Sequence, residues 1–99
     1  MAIYKNISTD TTSDPVVLIK KGSSISGSIK KITIANHDDS SSNLINLFLT
    51  DGSNNFVIVE TTIPSRVTLV LEDNLRFDSS VYDLKIATNS TATTTVIIT

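Results

Sequence analysis

The chain contains a single histidine, His37, flanked by Asp38 and Asp39, the residue types from which a metal site or a general base would be assembled. Consecutive residues in a polar loop do not converge on one centre, and no second histidine and no cysteine completes a ligand set. The trio reads as a solvated turn. The run Asp51-Gly52-Ser53-Asn54-Asn55 offers the oxygen ligands of a calcium loop without its twelve-residue spacing or terminal glutamate. Gly and Asn accept positive φ at little cost, so a hairpin connection accounts for it. Glu60, Glu72 and Asp73 supply carboxylates for glycoside hydrolysis, but they fall at turns and strand ends, and five aromatic residues with no Trp leave little on which to stack a sugar. Asn6-Ile7-Ser8 and Asn89-Ser90-Thr91 match the glycosylation tripeptide, which arises readily where more than a quarter of the residues are Ser or Thr. Neither a Gly-rich phosphate loop nor a Ser-His-Asp set with supporting motifs is present. The expectation is a chain that is not an enzyme, with no catalytic, metal or cofactor-binding residues.

The elements that would position any such residues are strands. Thirteen Ile, eight Val and fourteen Thr make up 35 of the 99 residues, and β-branched side chains fit a pleated sheet better than a helix. Short apolar runs are separated by Ser, Asn, Asp and Gly clusters every 8 to 12 residues, the rhythm of an antiparallel β protein. Strands are expected over residues 2–7, 15–20, 28–36, 44–50, 56–62, 66–71, 81–88 and 93–99. A short strand or bulge is expected around 25–27, a turn at Glu72-Asp73-Asn74, and a short segment ending at Phe77. With no helical period, the fold class is all-β: one domain over residues 1–99, a single antiparallel β-sandwich or jelly-roll-like barrel of about eight or nine short strands. Without cysteine it must hold by packing alone.

Eight basic and ten acidic residues give a net charge of −2, and the only basic doublets are Lys20-Lys21 and Lys30-Lys31, so no nucleic-acid partner is expected. Apolar runs stop at about four residues, which excludes a spanning helix, and no membrane insertion is expected. The start, Met1 to Asn6, lacks the basic and apolar regions of a secretory leader. The segments 44–50 and 56–62 are apolar on both faces, with Ile45, Leu47 and Leu49 opposed to Leu44 and Phe48, which calls for a cover from another element or subunit. Terminal strands are commonly edges, so strand addition is expected through residues 2–7 or 93–99, and Lys5, Lys20, Lys21, Lys30 and Lys31 read as guards of unpaired edges. The interface residues expected are Ala2, Ile3, Tyr4, Ile7, Phe48, Phe56, Val96 and Ile98.

The runs Ile3-Tyr4-Lys5-Asn6-Ile7, Val17-Leu18-Ile19-Lys20-Lys21-Gly22 and Ile32-Thr33-Ile34-Ala35-Asn36-His37 are followed by Leu47-Phe48-Leu49-Thr50-Asp51-Gly52. The break Thr62-Ile63-Pro64, then Val67-Thr68-Leu69-Val70-Leu71 and Leu75-Arg76-Phe77-Asp78, complete the order. In this order the chain resembles small virion structural proteins of tailed bacteriophages, of the marine cyanophage type. Ser65-Arg66 stands where that pattern has a small-residue and Gly turn. The resemblance implies a non-enzymatic subunit in many copies, a head decoration or cement protein or a neck or tail accessory. Its partners would be other virion proteins and copies of itself, and it would be assembled in the host bacterial cytoplasm. A carbohydrate- or receptor-binding module, using the loops 36–42 and 51–55, is the alternative.

Overall fold

Where β-branched residues alternate with polar ones, each strand presents one aliphatic row, and burying those rows against each other is what a two-sheet arrangement accomplishes. The computed structural model describes residues 2–22, 28–72 and 75–99. Its strands are β1 (Ile3–Ile7), β2 (Val16–Ile19), β3 (Ser28–Ile29), β4 (Ile32–Asn36) and β5 (Asn43–Thr50), followed by β6 (Asn55–Ile63), β7 (Val67–Leu71), β8 (Leu75–Arg76), β9 (Asp83–Thr88) and β10 (Thr94–Ile98). The first sheet has the order β1-β10-β4-β7 and the second β2-β9-β5-β6, with β3 and β8 forming a separate two-stranded ribbon. Every pairing is antiparallel, and the chain crosses from one sheet to the other directly after β1, β4, β6 and β9, and by way of the ribbon strands β3 and β8 after β2 and β7. This is the jelly-roll arrangement within the sandwich class read from the sequence.

The two inner faces share one core. Ile34, Val96 and Ile98 from the first sheet and Ile45, Leu47, Leu84 and Ile86 from the second are completely buried. Each such side chain contributes about 1.5–3 kcal/mol by leaving water, which lets a cysteine-free chain of this size hold a fold.

Backbone hydrogen bonds run within a sheet, so the contact between sheets needs another source of alignment, and at one end it is polar. Asn36, buried on β4, donates from Nδ2 to the carbonyl of Ile63 at the end of β6 (3.0 Å) and to that of Ser41 (2.9 Å), while its Oδ1 accepts from the Asp38 amide. Asn43 on β5 donates to Thr94 Oγ1 on β10 (2.9 Å) and accepts from the Asn89 amide. Nearby, the Thr88 amide donates to Thr11 Oγ1 (2.8 Å) and the Thr88 hydroxyl to the Thr9 carbonyl (3.0 Å). Buried amides are tolerated because their groups are paired, and here the pairing ties strands of opposite sheets together.

The expected strand at 28–36 is divided, with β3 leaving to join the ribbon before β4 enters the first sheet. The short strand or bulge expected at 25–27 and residues 73 and 74 of the expected turn lie outside the described residues. One expectation about edges is corrected. The segment ending the chain, β10, is a central strand bonded to β1 on one side and β4 on the other, so it has no free edge for strand addition. The edges are β1 and β7 in the first sheet and β2 and β6 in the second. Between β6 and β7 the chain turns at Pro64 to Val67, closed by a bond from the Val67 amide to the Pro64 carbonyl (3.2 Å). Arg66 takes φ 62° there, the third position of a turn where glycine would be less strained.

Asn36→Ala leaves the Ile63 carbonyl and the Asp38 amide without their buried partner, and should destabilise the fold by about 2–4 kcal/mol. Urea denaturation followed by circular dichroism measures this. A loss below about 0.5 kcal/mol, the range of ordinary surface substitutions, would show that the polar end does not hold the sheets.

Candidate functional site

The residues singled out for chemistry stay apart. His37 follows β4, and its Nε2 lies 2.9 Å from Thr95 Oγ1, whose hydroxyl donates to Asn6 Oδ1 (2.7 Å). With the Thr95 proton directed to Asn6, His37 is the donor in its own contact, so Nε2 is not placed to remove that proton as a general base. Asp38 instead accepts from the amides of Ser41 (2.9 Å) and Ser40 (3.1 Å), a capped turn. Asp39 accepts from Arg66 Nη2 at 3.0 Å, with both side chains largely exposed. Asp51 accepts from the amides of Asn54 (2.8 Å) and Ser53 (2.9 Å), which makes the loop at 51–55 a hairpin turn. Among the described residues no group of three His, Asp or Glu side chains is gathered as for a metal ion, and no helix is long and apolar enough to cross a membrane.

The expected interface residues divide. Val96 and Ile98 are completely buried, and Ile7 and Phe48 are nearly so. These four are corrected to buried positions: inner-row side chains of β1 and the central strand β10 in three cases. Phe48, in the fourth, lies on the outer side of β5 in register with Lys85 and Val57. Ile3 is half-buried against the core. Ala2 is exposed, Tyr4 is exposed on the outer side of β1, and Phe56 is exposed at the far end of β6, where its ring meets Tyr82 edge-on at 5.8 Å.

The four edges are protected unequally. Lys5 sits in the inward row of β1, opposite buried Val96, and Lys20-Lys21 follow β2; charges placed this way discourage edge pairing. On the other side β7 carries no charged residue, and β6 carries one, Glu60, together with a bulge. Across that bulge Val59 opposes Leu47 and Val57 opposes Phe48, leaving Ile58 without a partner in the ladder. A bulge re-aims its extra side chain, and Ile58 lines a cavity of about 160 Å³.

That cavity lies at the end of the sandwich opposite the buried amides. Ile32 begins β4 and Leu71 ends β7, while Asn36 and Val67 are at the other ends of the same strands. Ile29 and Leu75 enter from the ribbon, and exposed Lys30 and Lys31 complete the lining. Sequence reasoning misses this grouping because its members are spread from residue 29 to residue 75. The Lys30-Lys31 doublet is the one part that stands out in the sequence, and there it reads as an edge guard.

No protein-family model matches the chain, and no curated protein matches it. Among solved structures it is similar to hydroxypropylphosphonic acid epoxidase from S. wedmorenis, at 13% identity and a TM-score of 0.44, covering 98% of this chain and 40% of that one. The same enzyme in complex with fosfomycin gives 13% identity and a TM-score of 0.44, covering 98% and 41%. The chain thus spans about two fifths of the length of the structures it matches. The expectations of a phage virion subunit, or alternatively a carbohydrate- or receptor-binding module, and of a chain that is not an enzyme, are corrected and set aside: the matched structures are those of an enzyme. A likeness this distant assigns the chain no activity of its own.

The turns carry the pH dependence. Asp38 is lowered by the Ser41 and Ser40 amides, Asp51 by the Asn54 and Ser53 amides, Asp10 by the Thr12 hydroxyl and amide, and Asp78 by the Ser80 hydroxyl and amide. A carboxylate whose folded pKa lies below its unfolded one stabilises the fold above the unfolded value, and that stabilisation is lost as pH falls through the folded value. Urea stability should therefore begin to fall below the ordinary value of 3.8 and continue to fall at lower pH. The double variant Asp38→Asn, Asp51→Asn should show a shallower acid loss; an unchanged slope would remove these turns from the account.

Proposed function

We propose that the chain is a binding module that takes a small apolar group into the cavity between β6, β7 and the β3–β8 ribbon. The observation that carries this reading is the aliphatic lining of the cavity at the end of the sandwich opposite Asn36 and Asn43, with Ile58, the residue left out of the ladder by the bulge in β6, among its walls. Concave, largely apolar pockets with a few polar groups at one side are the usual form of small-molecule sites. At about 160 Å³ the space suits one six-membered ring or a short branched chain, not a drug-sized molecule. Ile29 and Ile32 are buried and anchor the floor, whereas Ile58, Leu71 and Leu75 are half-buried and belong both to the core and to the cavity.

Titration with benzyl alcohol, an uncharged probe of suitable size, should give saturable methyl shifts at Ile58, Leu71 and Leu75 in two-dimensional NMR. Ile58→Phe, which occupies the space from inside, should reduce those shifts at least tenfold while the remaining spectrum keeps its dispersion. Shifts absent up to the probe's solubility limit, or spread without preference over the surface, would overturn the reading.

A further inference from the structure

Resting on that cavity reading, we infer that its ligand is a small organic carboxylate, with the ring or alkyl body among the aliphatic side chains and the carboxylate toward Lys30 and Lys31. The five aliphatic residues of the lining offer no side-chain hydrogen-bond donor or acceptor, so any polar recognition falls to this lysine pair. Its backbone is already committed: the amides of Lys30 and Lys31 both donate to the Thr99 carbonyl (2.9 and 3.2 Å), and the Thr99 amide returns a bond to the Lys31 carbonyl (3.0 Å). Those bonds fix the dipeptide against the end of β10 and leave the two ammonium groups as the donors for a ligand. Among the described residues the ion pair present is Arg66 with Asp39, and neither ammonium is paired with a described carboxylate.

The charged groups among the lining residues are two cations, beside an apolar space, in a chain whose overall charge is −2. A cationic rim on a slightly acidic protein is a local feature, not a consequence of composition. An uncharged ligand would use only the apolar half of the site. A carboxylate uses both, and its charged end stays at the solvent side, where desolvation is small. Exposed ion pairs are individually weak, so two of them should favour an anion over a neutral ligand of the same shape by about tenfold, and salt should reduce the preference.

The experiment compares sodium benzoate with benzyl alcohol on the full chain, by NMR titration of the Ile58, Leu71 and Leu75 methyls at low and high sodium chloride. The expected result is benzoate binding about tenfold tighter at low salt, with most of that preference lost at about 1 M. In the double variant Lys30→Met, Lys31→Met, which keeps the length of the stems, the preference should disappear while benzyl alcohol binds as before, showing that the site is still formed. Equal binding of the two probes to the unmodified chain, or a benzoate preference that survives in the double variant, would overturn the carboxylate assignment and leave the cavity reading standing. Failure of both probes to bind would overturn the cavity reading and the assignment with it.

Discussion

The buried side-chain amides of Asn36 and Asn43 are the contacts on which the arrangement of this molecule depends. Apolar packing drives the two sheets together but is indifferent to small sliding movements, because one aliphatic contact replaces another at similar energy. A hydrogen bond between sheets is not so tolerant. Asn36 fixes the end of β4 to the end of β6, and Asn43 fixes the start of β5 to the start of β10, so both sheets are held in register at the same end. An unpaired amide at that depth would be costly, and this makes the polar end the stricter of the two.

The opposite end follows from that asymmetry. There, among the described residues, no side-chain hydrogen bond like those of Asn36 and Asn43 joins the sheets, and Ile58 at the bulge, with Ile29 and Leu75 of the β3–β8 ribbon, lines the cavity. A single orphan interrupts the pattern: Asn46 Oδ1, on the outer side of β5, is buried without a hydrogen-bond partner among the described residues. It lies in register with Glu60 and Ala87, away from both ends of the core. The lysines of the β1 and β2 side and the nearly uncharged β6 and β7 side point the same way as the cavity, since the less guarded flank is the one that opens on it.

The strands were legible in the sequence where the period of two is clean, as in Ile32-Thr33-Ile34-Ala35-Asn36, and so was the sandwich that such strands build. Their order was not. That β10 lies between β1 and β4 depends on pairings such as Ile3 with Ile98 and Ile32 with Ile98, and a local period carries no information about partners so distant. For the same reason Val96 and Ile98 read as edge residues and are core. Asn36, at the end of an expected strand, and Asn43, between a Ser-rich loop and the next strand, give no sign of their burial, because a polar side chain shows it only once its partners are placed. The bulge is equally silent, since Phe56-Val57-Ile58-Val59 is an unbroken apolar run in which nothing marks the residue that leaves the ladder.

On the proposed reading, the end of the sandwich opposite Asn36 and Asn43 is the working end of the molecule. Intermolecular nuclear Overhauser effects between bound benzoate and the protein's methyl groups test it most directly, because they locate the ring without relying on a change in affinity. The expected contacts run from the ring protons to Ile58, Leu71 and Leu75, with none to residues beside Asn36 and Asn43. Contacts confined to the outer side of β1 and β10, around exposed Tyr4 and half-buried Ile97, would overturn that reading.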